Sequence, residues 1–522
     1  MLKKNEYYEV EITDLNNLGY GVARIDGIVT FINGAVTGDK ARIKLIKTAK
    51  DYAVGRLEEV ISPSPYRVEP DCKVFGRCGG CVYRHISREY ELEIKRQTVV
   101  TAFRKQGLDV EVAQTKTDGR VDGYRNKAQY PVTPDGRIGY YARHTHDVVE
   151  SESCALTDPA LAPIVEYTVE AIRKNGWIVK HLYLRRGEMT GETMLCLVTA
   201  SDSLKGEKEF AEAITRKFPE IKSVVLNINP EDTNVILGKR VKALYGEDRI
   251  EDILCDCRFG ISSLSFYQVN RGGAELLYKE AIALAEKSSP KTVLDLYCGA
   301  GTIGLSYAKA HPEVSVTGIE IIPEAVENAR ENAKINGIEN ATFICADAMT
   351  ADIGGYDLVF IDPPRKGMSA ELVEKLCGSN IECIVYVSCD PTTLARDVKM
   401  LMAAGYKANT VTPVDMFPRT GHVETVVCLS RKKVNDRINF DINIEALPDR
   451  VSKTATYAEI KAYVLEHYGF KVSSLYIAQI KDKHGIKERE NYNIGEGKSK
   501  ELICPPEKEE AITNALKHFN MI

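Results

Sequence analysis

No apolar run in this chain is long enough to cross a bilayer, which takes about 20 residues, and the Met1–Glu9 start is too polar for a secretory leader. Neither sign of charge dominates. Sixty-nine Lys and Arg against 74 Asp and Glu leave a formal charge of −5, which argues against a protein that coats nucleic acid indiscriminately. A local basic groove stays open, because the footprint depends on where the charges lie. The 14 cysteines, without a leader, point to a reducing cytoplasm, where clustered thiols bind metal or do catalysis. Apolar content of 44% and charged content of 27% are those of an ordinary soluble protein. At 522 residues several domains are expected, since one core rarely serves more than about 250–300 residues. A cytoplasmic protein with no membrane partner and no required oligomer is the expectation.

Between Ser265 and Lys432 strand-like and helix-like pieces alternate. TVLDLYC (292–298) reads as a buried strand and GAGTIGLSYAKA (299–310) as a glycine turn entering a helix. VSVTGIEI (314–321) is a second strand, and PEAVENARENAKING (323–337) a helix with Pro in its first turn and Gly at its end. ATFICADA, DLVFIDPP and ECIVYVSCDP supply three more strands. Such alternation predicts an α/β, doubly wound, mostly parallel sheet, whose ligand crevice lies at the carboxyl ends of the strands. Asp362 and Cys389 each follow an apolar strand and would share that crevice. Gly299, Gly301 and Gly304 let the backbone turn tightly and approach a ligand, and Glu320 ends the second strand, where a carboxylate can take both hydroxyls of a ribose.

The order of glycine loop, ribose acid, ADA (346–348) and DPPR resembles class I (Rossmann-like) S-adenosylmethionine-dependent methyltransferases. SFYQVN (265–270), LDLYCGAGTIGL, IDPPRKG, VSCDPTTLARD and HVETVV (422–427) resemble the RNA uracil-5-methyltransferase family. Within it, residues 1–432 are most similar to 23S ribosomal RNA enzymes with an iron–sulfur cluster. The resemblance implies Gln268, Tyr297, Glu320 and Asp362 around S-adenosylmethionine, Cys389 as nucleophile and Glu424 as general base. Thr302 stands where some relatives have Asn.

The chemistry suits those residue types. Carbon-5 of uracil is a poor nucleophile; thiolate attack on carbon-6 makes it an enolate carbon that can take a methyl group, and a base must then remove the carbon-5 proton. From spacing alone Cys389 reads equally as nucleophile or core filler, and Glu424 reads as a solvated hairpin carboxylate. Cys196, Cys255, Cys257, Cys298, Cys345, Cys377, Cys383, Cys428 and Cys504 read as buried filler.

Cys72, Cys78 and Cys81 form C-x5-C-G-G-C, and Cys154 is a fourth thiol at a distance. Four thiolates fit tetrahedral zinc or a [4Fe–4S] cluster; the 3+1 spacing and the resemblance both point to [4Fe–4S], in a structural or RNA-orienting role.

Residues 1–62 carry regularly spaced β-like pieces that predict a small five-stranded barrel and resemble the RNA-binding TRAM domain. Residues 63–264 are read as the cysteine segment and a central α/β region, 265–432 as the catalytic domain, and 442–522 as a small helical appendage. Arg84–Arg143 is basic, with twelve Lys and Arg against eight Asp and Glu, and mixes aromatic rings with cations as single-strand platforms do. Arg125 and Phe266 are the candidate substrate contacts. After the charged break Arg431–Asp441, three helices are predicted, two around a glycine-containing turn. Lys471, Lys481, Lys483 and Lys487 there suggest RNA or ribosomal-protein binding, with a passive cap as the alternative. The sequence therefore predicts carbon-5 methylation of a 23S ribosomal RNA uridine. The alternatives are a transfer RNA T-loop uridine methyltransferase and a non-catalytic, RNA-binding ribosome assembly factor.

Overall fold

The computed structural model describes residues 2–143, 145–151, 153–431, 455–484, 504–519 and 521. The charged break beyond Arg431, and Lys487, lie outside the described residues. The chain divides into two compact units, Met1–Val434 and Asn435–Ile522.

The first unit opens with β1 (Tyr7–Glu11), β2 (Asp14–Leu15), β3 (Tyr20–Ile25), β4 (Ile28–Asn33), β5 (Lys40–Thr48) and β6 (Tyr52–Ser62). They form one curled sheet in the order β1-β5-β6-β4-β3-β2. Alternate residues such as Ala41, Ile43 and Leu45 point into its core. Six strands stand where five were expected. The extra one, β2, is two residues long, too short to show alternation, and the Asn16 side chain tightens its turn by accepting from the amides of Leu18 and Tyr20.

Helix α1 (Arg88–Lys105) follows, capped by Ser87. It was not legible in the sequence because its buried face carries Glu91 and Lys95 beside Ile94, Val99 and Phe103, so no clean apolar stripe exists. The central sheet runs β13-β12-β11-β10-β7, from β7 (Lys127–Pro131), β10 (His181–Arg186), β11 (Thr193–Thr199), β12 (Ile221–Ile228) and β13 (Arg240–Tyr245). A small hairpin, β8 (Gly139–Tyr141) with β9 (Val148–Glu150), stands apart from it. One face of the central sheet is covered by α2 (Ala162–Asn175) and α3 (Glu207–Lys217) through Ile164, Val169, Phe210 and Ile214. The other face, with Tyr183, Met194 and Cys196, joins the core of the catalytic domain.

A hairpin, β14 (Ile250–Leu254) and β15 (Cys257–Ile261), packs into that core, and α4 (Arg271–Glu286) follows. β16 (Thr292–Leu296), β17 (Ser315–Glu320), β18 (Ala341–Cys345), β19 (Leu358–Ile361) and β20 (Cys383–Ser388) are the parallel strands, ordered β18-β17-β16-β19-β20. The sheet continues antiparallel through β23 (Glu424–Ser430), against which β21 (Lys407–Ala408) and β22 (Thr412–Val414) pair. Helices α5 (Thr302–Ala310), α6 (Pro323–Ile335), α7 (Ala370–Gly378) and α8 (Pro391–Ala403) complete it. Alternation splits each strand between two cores: Val293, Phe360 and Val385 face one layer, while Leu294, Leu296, Val359 and Ile361 face the other, to which α1 contributes Val99 and Phe103. In the central strands β16, β19 and β20 the chain is buried almost throughout, so it is the residues just past their ends that reach the ligand edge.

The second unit contains α9 (Tyr457–Tyr468), α10 (Ser474–Lys483) and α11 (Pro506–His518) around Ile460, Val464, Ile477 and Ile512. Thr456 and Glu459 make a capping box, Gly469 ends α9 at φ 72°, and Ser473 caps α10. Lys483 pairs with Glu509, and Lys461 donates to Ser474. No described helix is long and apolar enough to cross a membrane.

Candidate active site

Strand register builds the site. Glu320 pairs with Cys345, Leu296 with Ile361, Ile361 with Tyr386, and Ser388 with Thr425. One step off these pairs, Tyr297, Asp362 and Cys389 emerge side by side at the carboxyl edge. Because β23 runs antiparallel to β20, Glu424 lies one step beyond the Ser388–Thr425 pair on the side of Cys389, and its charge acts on that thiol. The Thr425 hydroxyl donates to the Ser388 carbonyl at 3.0 Å and pins the two strands there.

The glycine loop beside this row has the form of a cradle. The Asp295 carboxylate, buried in the middle of β16, accepts from the Gly304 amide at 2.9 Å and holds the first turn of α5. Its burial pushes it up to about 8. Gly299, at φ 54°, donates to Glu320 Oε2 at 3.2 Å, and a Cβ there would meet nothing within 4 Å, so that backbone faces open space. Tyr297 holds φ 63°, a conformation that costs an L-residue roughly a kcal/mol or more. A half-buried carboxylate at Glu320, an open glycine backbone and a strained residue at one strand end fit a nucleoside-bearing cofactor.

The electrostatics are those of acids crowded together. Desolvation pushes the Asp362 carboxyl up to about 7. Burial, and then Asp362, push Glu424 up to about 8, so it is a buried carboxyl rather than a solvated hairpin one. Burial, Glu424 and Asp362 together push the Cys389 thiol up to about 11, against the pull of Arg365. Near neutral pH Glu424 is mostly protonated and Asp362 partly so, which relieves the thiol of part of that repulsion. The first turn of α8 begins two residues after Cys389, with Asp390 accepting from the amides of Thr392 and Thr393.

Three residues absent from the sequence-derived set belong to this neighbourhood. Tyr278, fully enclosed on α4, interacts with Gln268, Thr302 and Asp362, and the Thr302 hydroxyl donates to its oxygen at 3.4 Å. It reads in sequence as one more core ring. Asp295 had a signal, a carboxylate within a buried strand. Arg365, in DPPR, is the cation that acts on both Cys389 and Glu424.

Gln268 lies in the loop before α4, tied to the central sheet by the Asn126 side chain donating to its carbonyl at 2.9 Å. Phe266 in the same loop is 79% exposed, an apolar ring offered to solvent. Arg125 bridges to Thr157 and lies beside Tyr124, Cys81 and Cys154; it also acts on His422, two residues before Glu424.

The loop leading to Glu424 is fastened from α1. Lys95 bonds Glu91, Asp415 and the Phe417 carbonyl, Arg88 pairs with Glu91 and Asp415, and the Tyr124 hydroxyl donates to the Pro418 carbonyl. The amides of Val82 and Tyr83 donate to the Arg419 carbonyl at 2.9 and 3.1 Å, so the chain just past Cys81 braces the same loop.

The four cysteines set apart by spacing share one neighbourhood. Cys78 interacts with Cys72 and Cys154, and Cys81 with Cys154. All four are partly exposed free thiols, and the Gly80 amide donates to Cys78 Sγ at 3.4 Å. Among the described residues no three Cys, His, Asp or Glu side chains converge closely enough to hold one ion. As a donor set, four thiols from two segments suit a thiolate-bound metal group. Of the cysteines read as filler, Cys345 is exposed and Cys377 partly exposed, because β18 is an edge strand and α7 an outer helix; the other seven are buried.

Known proteins resemble this chain over most of its length. Residues 2–57 match the TRAM domain and 287–405 a methyltransferase domain. An uncharacterized RNA methyltransferase of Clostridium acetobutylicum is 40% identical over 453 residues, covering 82% of this chain and 98% of the relative. Another from Bacillus cereus is 38% identical over 451 residues, again 82% and 98%. The crystal structure of Pyrococcus abyssi tRNA (uracil-54, C5)-methyltransferase with S-adenosyl-L-homocysteine superposes with a TM-score of 0.67 at 29% identity, over 81% of this chain and all of that one.

Proposed function

The chain belongs to the RNA uracil-C5-methyltransferase family, a family of S-adenosylmethionine-dependent RNA methyltransferases, and on that premise we propose that it converts a 23S ribosomal RNA uridine to 5-methyluridine through a covalent Cys389 adduct. The observation that carries the reading is the β20–β23 register, which brings a thiol and a buried carboxyl to the same place at the ligand edge.

In this reading the Cys389 sulfur bonds to uracil carbon-6, and the ring electrons move to carbon-5. S-adenosylmethionine, when bound, supplies an electrophilic methyl group to that carbon. Glu424 then takes the carbon-5 proton as the carbon-6 to sulfur bond breaks, which restores the ring double bond and frees the thiolate. A carboxyl raised to about 8 is a stronger base, once ionised, than an ordinary one. Glu320 would take the ribose hydroxyls, and Tyr297, Gln268 and Asp362 would line the rest of the cofactor site. Phe266 would stack on a base and Arg125 would meet the substrate strand.

Cys72, Cys78, Cys81 and Cys154 would hold a [4Fe–4S] cluster, with zinc as the other thiolate-bound choice. Methyl transfer needs no electron, so the cluster's part is to fix the segment whose Val82 and Tyr83 brace the loop before Glu424.

The barrel and the cysteine segment motivate the ribosomal target. The likeness to the Pyrococcus abyssi enzyme favours a second reading, a transfer RNA uridine. Nucleoside mass spectrometry of 23S RNA and transfer RNA, each incubated with protein and S-adenosylmethionine, tests both. New 5-methyluridine in 23S RNA alone is expected. Its appearance in transfer RNA alone would move the substrate, and its absence from both would leave a non-catalytic RNA-binding factor.

A further inference from the structure

One cation beside the site has no counter-charge. Lys127, at the start of β7, stands directly opposite Arg185 on β10. Arg125, two residues earlier, shares its face of the strand by period-two alternation. Like charges directly opposite on neighbouring strands are destabilising. Burial, and then Arg185 and Arg125, both cations and the charged groups acting on it, push the Lys127 ammonium down to about 8. No described residue forms a hydrogen bond or ion pair with it.

Its neighbours are held by other duties. Arg185 donates to the carbonyls of Ser262 and Ser265, at 3.3 and 2.8 Å, and acts on Asp248. Those carbonyls belong to the loop that presents Phe266. Arg125 Nε and Arg185 Nε are both buried without a hydrogen-bond partner. The Asn126 amide donates to the Val269 carbonyl at 2.8 Å, which ties Lys127's strand to the same loop. Three cations crowd one strand edge next to an exposed aromatic ring, at a cost to the fold that an anionic ligand would reverse.

We propose that Lys127, flanked by Arg125 and Arg185, seats a backbone phosphate of the RNA strand adjacent to the base that reaches Phe266. The assignment rests on the reading of the substrate as RNA. Lys127 supplies the compact, reorientable ammonium, while the arginines add field and wall the seat.

Acylation footprinting of the full chain with an amine-reactive acetate ester tests it, read at Lys127 by mass spectrometry. The protein is probed alone, with tripolyphosphate, and with a short oligouridylate whose binding is followed by fluorescence anisotropy. An anion that raises the Lys127 pKa by about one unit slows acylation about tenfold, and both probes are expected to do so. Oligouridylate that binds while Lys127 acylates at the free rate would overturn the phosphate seat and leave the RNA reading intact. Protection by tripolyphosphate with no binding of oligouridylate would overturn the assignment to RNA, and the RNA reading with it. In a second measurement, Lys127→Met is expected to reduce the slope of log affinity against log salt by about 0.7, the value for one single-strand phosphate contact, with Lys127→Arg restoring it. An unchanged slope in Lys127→Met, with S-adenosylhomocysteine still bound as in the unaltered protein, would overturn the proposal.

Discussion

The ends of the catalytic strands and the lip of the central sheet crowd opposite charges. At the strand ends, burial raises the Asp362 carboxyl, Asp362 raises Glu424, and both raise Cys389, with the exposed Arg365 as the cation acting on Glu424 and Cys389. On the lip, Arg125 and Arg185 press on Lys127, and among the described residues no acid acts on that lysine. His422 feels both sides, lowered by burial and then by Arg365, Lys95 and Arg125. Each arrangement is unfavourable in the free protein and is relieved by a ligand of the other sign. The acidic side meets the charge by protonation, since carboxyls can be neutralised near pH 7. The basic side cannot do so fully with arginine, which stays charged, and leaves the adjustment to its one lysine.

The largest way to break the acidic side is Glu424→Gln. It should slow methylation by about 10²–10⁴, the usual worth of a positioned base, while letting the Cys389–RNA adduct accumulate on a denaturing gel. Loss of rate without adduct would mean that Glu424 acts before carbon–sulfur bond formation.

Phe266→Ala should cost about 1–3 kcal/mol of RNA affinity, the range for one stacked base, and leave S-adenosylhomocysteine binding unchanged. Unaltered RNA affinity would remove the ring from the substrate path.

The same carboxyl also bears on stability. The folded Glu424 carboxyl titrates near 8 against 4.5 for its ordinary value, so its neutral form is favoured by the fold. That contribution is complete below pH 4.5 and is lost as the pH rises through 8. Thermal melting of Glu424→Gln should therefore match the unaltered protein at low pH and exceed it increasingly toward pH 8. A difference that is flat with pH would contradict the buried, uncompensated carboxyl.

What the sequence disclosed follows from regularity. Asp362 and Cys389 were legible because each ends an apolar run, and a parallel sheet collects such ends on one edge. Glu424 was not legible from its pattern, since its place near Cys389 depends on an antiparallel register set by residues far apart in the chain. Tyr278 was hidden in an ordinary amphipathic helix. Helix α1 was hidden because Glu91 and Lys95 occupy core positions made tolerable by their own pairing and by Asp415, Phe417 and Arg419, more than 300 residues on. Lys127 resembled a solvated strand residue; its missing partner exists only as a fact of the folded neighbourhood.

The central claim is a carbon-5 methyl transfer through Cys389, and RNA containing 5-fluorouridine tests it most directly. Fluorine on carbon-5 cannot leave as a proton, so elimination stalls. The account predicts a denaturation-resistant protein–RNA complex that requires S-adenosylmethionine, maps by peptide mass to Cys389 and disappears in Cys389→Ala. Methylation of ordinary RNA by the same protein with no complex on the fluorinated strand would contradict it.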